Sequence, residues 1–370
     1  MLKRCLALAP ALRMTHALTV LIALLVAAFS SPAYAVTWEN VNLHGYTDFL
    51  YKINTKAEAP EDPNAPDPTN GSFDFRHLTF LVDIHVTPEL WIKTNIEFDH
   101  TPDTELGYGG IIMEYGFAEY IVKDWLNLRA GKSLTPYGLF NEIHDASPAY
   151  LSVAVPESVY RPEQRGGFSL IPKWTTGISV LGITNPCDGC EFDYVIYIGN
   201  GESVGVNEGQ FDSNANKAVG GRTQISIDDE TLMAGVSAYY GEKAASQTNL
   251  SENHWAYVLS LSYNLLSFNL KAEYGQSKLG SRTEYAWYAQ PSYKIGRYTP
   301  YLRVQSNDPS DLSADDYWNA YLAGVNIQVN KHMFLKVEWC ENVRGKNNVD
   351  IVTPGNENFG EFKSSVTIYF

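Results

Sequence analysis

Apolar and polar residues alternate one for one through segments of about ten residues, and such segments recur along the chain between turns and polar loops. A period of two sends successive side chains to opposite faces of a β-strand. Residues 90–99 show it best: Leu90, Ile92, Thr94, Ile96 and Phe98 share one face, and Trp91, Lys93, Asn95, Glu97 and Asp99 share the other. If the apolar face meets lipid, a one-residue slip would put three charges there. At about 2–4 kcal/mol for a basic residue at the bilayer midplane, that cost fixes the register.

The same alternation predicts strands over 43–53, 77–86, 90–99, 111–123 and 125–133, then 173–183, 193–200, 219–227, 232–240, 255–265 and 268–276. Further strands follow over 284–295, 298–305, 317–329, 333–341 and 359–370, giving about sixteen, an even number as bacterial barrels require. The expected fold is all-β, a transmembrane antiparallel β-barrel. Odd connections are expected to be long and even ones short, as in Thr87-Pro88-Glu89, so both chain ends face the periplasm. Aromatic residues make up 13% of the chain and crowd strand ends, as in Trp255/Tyr257, Tyr285/Trp287, Tyr298/Tyr301 and Tyr317/Trp318, which fits interfacial girdles. A soluble β-sandwich also alternates and remains the competing fold. Against it, the last strand places Phe362, Ser364, Val366, Ile368 and Phe370 on one face. The ending Val366-Thr367-Ile368-Tyr369-Phe370 resembles the outer-membrane signature read by the barrel-assembly machinery, with Phe370 as the assembly signal.

Residues 1–35 read as a secretory signal: Lys3, Arg4 and Arg13 precede an apolar run over 18–29, and Ala33-Tyr34-Ala35 supplies a small-x-small cleavage pattern. The alternative, an N-terminal spanning helix, needs a longer run of about 20 residues. Cleavage leaves 36–370 as the barrel, with 24 basic against 42 acidic residues and a net charge of −18. Such acidity argues against nucleic-acid binding, which depends on Lys and Arg neutralising phosphates. The mean hydropathy of −0.21 does not exclude a membrane protein, because averaging over the two faces of a strand erases the signal.

One insertion stands out. Residues 134–165 are too long for an ordinary loop, yet Tyr137, Leu139, Phe140, Ile143, Tyr150, Leu151, Val153, Val155 and Tyr160 give them apolar surface to bury. An inward fold as the third extracellular loop would narrow a pore and bring Glu142, His144, Asp145, Glu157, Arg161, Glu163 and Arg165 to its lumen. An extracellular cap or a subunit contact is the other use for such a loop.

Gly131-Lys132-Ser133-Leu134-Thr135-Pro136-Tyr137-Gly138-Leu139 resembles the segment that opens the third loop in the phosphate-selective porin O and P family. Arg161-Pro162-Glu163-Gln164-Arg165-Gly166-Gly167, Asn200-Gly201, Asp212-Ser213-Asn214 and Gly221-Arg222 are similar to later motifs of that family. The resemblance implies a sixteen-stranded barrel, usually a homotrimer in outer-membrane lipid, that passes small solutes or ions and in some members favours anions. Pore-lining candidates are Arg129, Lys132, Arg222, Arg303 and Lys336 together with the loop residues. A selectivity filter works through rings of one sign. Here Lys93, Arg129, Arg222, Lys271, Arg303 and Lys336 meet Glu97, Asp99, Glu119, Glu273, Glu284 and Glu338, so anion preference stays open.

Other chemistry is sparse in the sequence. His44, His77, His85, His100, His144, His254 and His332 show no metal-binding spacing, so no metal or cofactor is expected. Cys187 and Cys190 form a C-x-x-C outside any βαβ context, to be read as a disulfide stapling a turn or, with only two ligands, a poor metal pair. No G-x-S-x-G elbow occurs, and outer-membrane enzymes use smaller barrels, so a non-enzymatic diffusion pore is the expectation. A scaffold for a periplasmic or lumenal partner, such as an electron-transfer or export complex, would need an open interior. The apolar loop argues against one.

Overall fold

A computed structural model describes residues 36–55, 69–103, 108–143, 145–202, 217–244, 251–348 and 358–370. The expected signal segment and His144 lie outside the described residues. Alternation is realised as sixteen strands. The first eight are β1 (Val41–Thr55), β2 (Ser72–His85), β3 (Leu90–Asp103), β4 (Tyr108–Lys123), β5 (Leu126–Leu134), β6 (Trp174–Cys187), β7 (Cys190–Asn200) and β8 (Lys217–Ile227). They are followed by β9 (Leu232–Ala244), β10 (Ser251–Leu265), β11 (Phe268–Leu279), β12 (Arg282–Tyr293), β13 (Tyr298–Asp308), β14 (Trp318–Gln328), β15 (Met333–Arg344) and β16 (Phe359–Tyr369). Each pairs antiparallel with its sequence neighbours, and β1 pairs with β16 to close the ring.

At the seam, Gly45 and Phe370 exchange two backbone hydrogen bonds of 2.9 Å, and the Phe370 ring meets Phe80 edge-on at 6.1 Å. A Cβ on Gly45 would stand 2.2 Å from the Thr79 carbonyl and 2.9 Å from the Phe370 ring, so the close approach needs glycine.

The two faces sort as the alternation requires. Leu43, Ile92, Ile196, Leu259, Leu302 and Trp339 are exposed around the circuit, while Asp48, Thr79, Glu97, Glu273, Arg303 and Lys336 are buried. Apolar outside and polar inside is the inverse of a soluble sandwich and the mark of a transmembrane barrel. No described helix is long and apolar enough to cross a membrane.

Three expectations change. The β3–β4 connection spans only residues 104–107, because both strands run further than the alternation showed. The β11–β12 connection is Gly280 and Ser281 alone, with Gly280 at φ +60° supplying the tight turn. Tyr301 and Trp318 are buried rather than in a girdle, since a strand turns Tyr298 and Tyr301, or Tyr317 and Trp318, to opposite faces. Their polar atoms find inner partners: Tyr301 Oη donates to Glu338 at 2.7 Å and Trp318 Nε1 to Asn342 at 3.0 Å.

Cys187 and Cys190 are register partners at the β6–β7 turn and form a disulfide. Cys340 is a free thiol buried on β15.

Candidate functional site

Residues 135–173 connect β5 to β6 and form the apolar core of the molecule. Tyr137, Phe140, Tyr150, Val155, Val159, Tyr160, Leu170 and Ile171 are buried against Tyr197, Ala218, Tyr239, Ala256, Val258, Ala286 and Tyr288 from the strands. Tyr137 stacks on Tyr160 at 5.4 Å, and Phe140 meets Tyr160 edge-on at 5.7 Å. Small residues on β8, β10 and β12 (Ala218, Ala256, Ala286) leave room for these rings. That signal was present in the alternation but is invisible until the strand order is known.

Irregular backbone buried against a wall must find hydrogen-bond partners. Here buried charged side chains of the wall supply them. Lys336 Nζ donates to the carbonyls of Ser147, Tyr150 and Ser152 at 2.5, 2.7 and 2.9 Å, using all three of an ammonium's donors. Arg303 donates to Ser152 Oγ and the Ala154 carbonyl, Arg76 to the Val153 carbonyl at 3.0 Å, and Glu338 accepts from the Val153 N–H at 3.0 Å.

Glu273 forms a second anchor. It accepts from Leu139 N–H at 2.9 Å, Tyr160 Oη at 2.5 Å, Tyr288 Oη at 2.8 Å and Ser260 Oγ at 2.6 Å. Gly138, at φ +59°, leaves space for this knot, since a Cβ there would fall 2.1 Å from Tyr160 Oη. Farther along, Glu284 accepts from Phe168 N–H at 2.8 Å. His254, fully buried, bridges the Leu170 carbonyl at 3.1 Å, Ser277 Oγ at 2.7 Å and Glu202.

The residues singled out in the sequence therefore part ways. Arg303 and Lys336 lie beneath the segment and hold it. Arg165, 1% exposed, is clamped between Glu157 at 2.6 Å and the Trp318 ring at 5.0 Å, behind the short helix α1 (Glu157–Tyr160). Arg222 pairs with Glu142 at 2.6 Å, and Arg129 with Glu119 at 2.7 Å. Lys132 donates to the Met113 carbonyl at 2.7 Å and lies over Trp174. Arg161 and Asp145, joined at 2.6 Å, line a cavity together with Glu163.

Two cavities are lined jointly by the segment and the strands around it. One, of about 840 Å³, is lined by Asp145, Arg161, Glu163 and Lys173 of the segment and by Arg76 and Glu97 of the strands. The other, of about 500 Å³, is lined by Phe140, Tyr150 and Leu151 of the segment and by Lys271, Lys294 and Arg297 near the short β10–β11 and β12–β13 turns. The donor types near the first include two groups able to hold a metal: His77 with Glu97 and Asp99, and Glu97 with Glu114 and Asp145.

No protein-family model and no curated protein matches the sequence. Among solved structures, an anion-selective porin from Comamonas acidovorans superposes with a TM-score of 0.62 at 13% identity, over 89% of this chain and 99% of that one. The outer membrane channel DcaP of Acinetobacter baumannii gives 0.58 at 12% identity over 91% and 100%. A trimer form of OmpT, an outer membrane protein of Vibrio cholerae, gives 0.57 at 11% identity over 89% and 99%. The chain has the fold of bacterial porins. With its exposed apolar circuit, that fold places it in an outer membrane.

Two outcomes test the anchoring. Lys336→Met strands three buried carbonyls, which should lower the local stability of the segment by about 2–5 kcal/mol and speed amide exchange at Ser152 and Val153 roughly 30-fold or more. The barrel strands should keep their protection; unchanged exchange at Val153 would refute the anchor. Burial alone would raise the Glu157 carboxyl, but Arg165 and Lys363 outweigh it and hold the group well below its ordinary value of 4.5. A lowered folded-state value means the stabilisation is complete above 4.5 and is lost as pH falls through the folded value. Exchange in 157–165, corrected for intrinsic rate, should therefore rise on acidification, and Arg165→Met should remove most of that pH dependence.

Proposed function

We propose that the protein is a passive outer-membrane channel for small hydrophilic solutes and ions, and that residues 135–173 lie in its lumen as the constriction. The observation that supports this reading is the pair of cavities that residues of the segment line. A ring closed by β1 and β16 encloses one interior, and the segment bonds to the polar, buried set of side chains. Its long-loop cavity would be the outer vestibule and the other the periplasmic one.

The charges differ on the two sides. The larger cavity mixes signs, with Arg76, Arg161 and Lys173 against Glu97, Glu114 and Asp145, whereas the smaller has Lys271, Lys294 and Arg297 against Glu230. In this reading the short-turn vestibule favours anions, in line with the anion-selective porin among the structural neighbours and with the sequence motifs similar to the phosphate-selective porins. Inorganic phosphate itself has no more claim than other small anions, because the described residues of the larger cavity mix both signs. A homotrimer is the assembly we infer, since one neighbour is described in a trimer form.

Lys271 sits 4.8 Å over the Phe140 ring, at the boundary between segment and vestibule. In planar bilayers the purified protein should give salt-dependent channel current with a reversal potential in a KCl gradient on the anion-selective side. Lys271→Glu should move that potential toward cations. Absence of any channel current would overturn the function, and an unmoved potential would take Lys271 out of the path.

A further inference from the structure

His77 and Asp99 are cross-strand partners on β2 and β3, and Thr79 and Glu97 are the next such pair on the same inner face. His77 is 3% exposed, and its Nδ1 has no hydrogen-bond partner. Its Nε2 stands 3.7 Å from Asp99 Oδ1, too far for a hydrogen bond. Nδ1 faces Asp48 Oδ1 at 3.5 Å, so the ring lines the larger cavity between two carboxylates without a hydrogen bond to either, although a buried imidazole ordinarily makes one.

A second imidazole comes to the same oxygen. His100 follows Asp99 and by alternation belongs on the outer face, yet its backbone is left-handed at φ +47° and its ring lines the same cavity. His100 Nε2 is 3.5 Å from Asp99 Oδ1, while its Nδ1 is 2.8 Å from Asp74. A carboxylate on Nδ1 that presents Nε2 to a shared centre is the usual support of a metal-binding histidine.

Charge points the same way. Glu97 is 2% exposed and shares a 4.8 Å cluster with Glu114 and Asp145, and another with His77 and Asp99. Lys173 and Arg161 serve Asp145, at 3.0 and 2.6 Å, whereas the contact to Glu97 is the Thr79 hydroxyl at 3.2 Å.

We propose that His77, His100, Glu97 and Asp99 form a binding site for a divalent transition-metal cation in the wall of the larger cavity. Two imidazoles and two carboxylates suit Zn²⁺, whose bonds of about 2.0–2.2 Å set tetrahedral ligand atoms roughly 3.3 Å apart. The spacings of 3.5 and 3.7 Å about Asp99 are near that value; the ligand atoms of His77, Glu97 and Asp99, within 4.8 Å of one another, must close by up to about 1.5 Å, and His100 enters through its approach to Asp99. Occupation would add positive charge beside the Asp145–Arg161 pair. Binding itself needs only the barrel; its effect on permeation rests on the channel reading.

The test is calorimetric titration of ZnCl₂ into the folded full chain in detergent, with heat-modifiable mobility confirming the barrel in every variant. Saturable binding at one site is expected, weakened roughly 10-fold or more by His77→Gln and by Asp99→Asn and unchanged by His332→Gln on the β14–β15 turn. No saturable binding, or equal binding by folded His77→Gln, overturns the site. Zn²⁺ at a saturating level should also move the bilayer reversal potential toward anions in the wild type. Intact binding without any channel current keeps the site and counts against the channel.

Discussion

In a bilayer the backbone has no water to bond, so a sheet can cross only if its first and last strands meet. The β1–β16 seam meets that demand, with Gly45 and Phe370 bonded at its end. Closure then gives every strand an inside and an outside, and a period of two assigns each residue to one of them. From that single constraint follow the apolar exterior, the polar interior, and an enclosed space in which buried charges must find partners.

Segment 135–173 is where those partners are found. Lys336, Arg303, Glu338, Glu273 and Glu284 would each be costly as isolated buried charges; instead they hydrogen-bond the segment's backbone and polar side chains. Wall and segment complete each other: the wall's charges satisfy irregular backbone, and the segment's rings fill the space above Ala218, Ala256 and Ala286. A segment held at so many points behaves as a fixed part of the barrel rather than a loose flap.

Strand number, order and facing were legible in the sequence because a period of two is a local property, and Leu90 to Asp99 display it without help from the rest of the chain. The segment was legible as an apolar insertion too long to be a turn. What each charge does was not. Lys336 and Arg161 look alike in the sequence, yet one lies buried under the segment and the other borders a cavity, a difference set by contacts 150 or more residues away in the chain for Lys336. The histidines show the same limit: His77 and His100 have no metal spacing in the sequence, and only the β2–β3 register and a left-handed residue bring them to Asp99. Tyr301 and Trp318 were misplaced for a simpler reason, that neighbours three or one apart in a strand cannot share a face.

The central claim is that residues 135–173 lie within the barrel and set its narrowest width. Liposome swelling with a graded series of neutral sugars and polyethylene glycols measures that width directly. Protein carrying both Lys336→Met and Arg303→Met, shown by heat-modifiable mobility to keep its barrel, should admit larger solutes than the wild type. An identical size cutoff for the two would contradict the account.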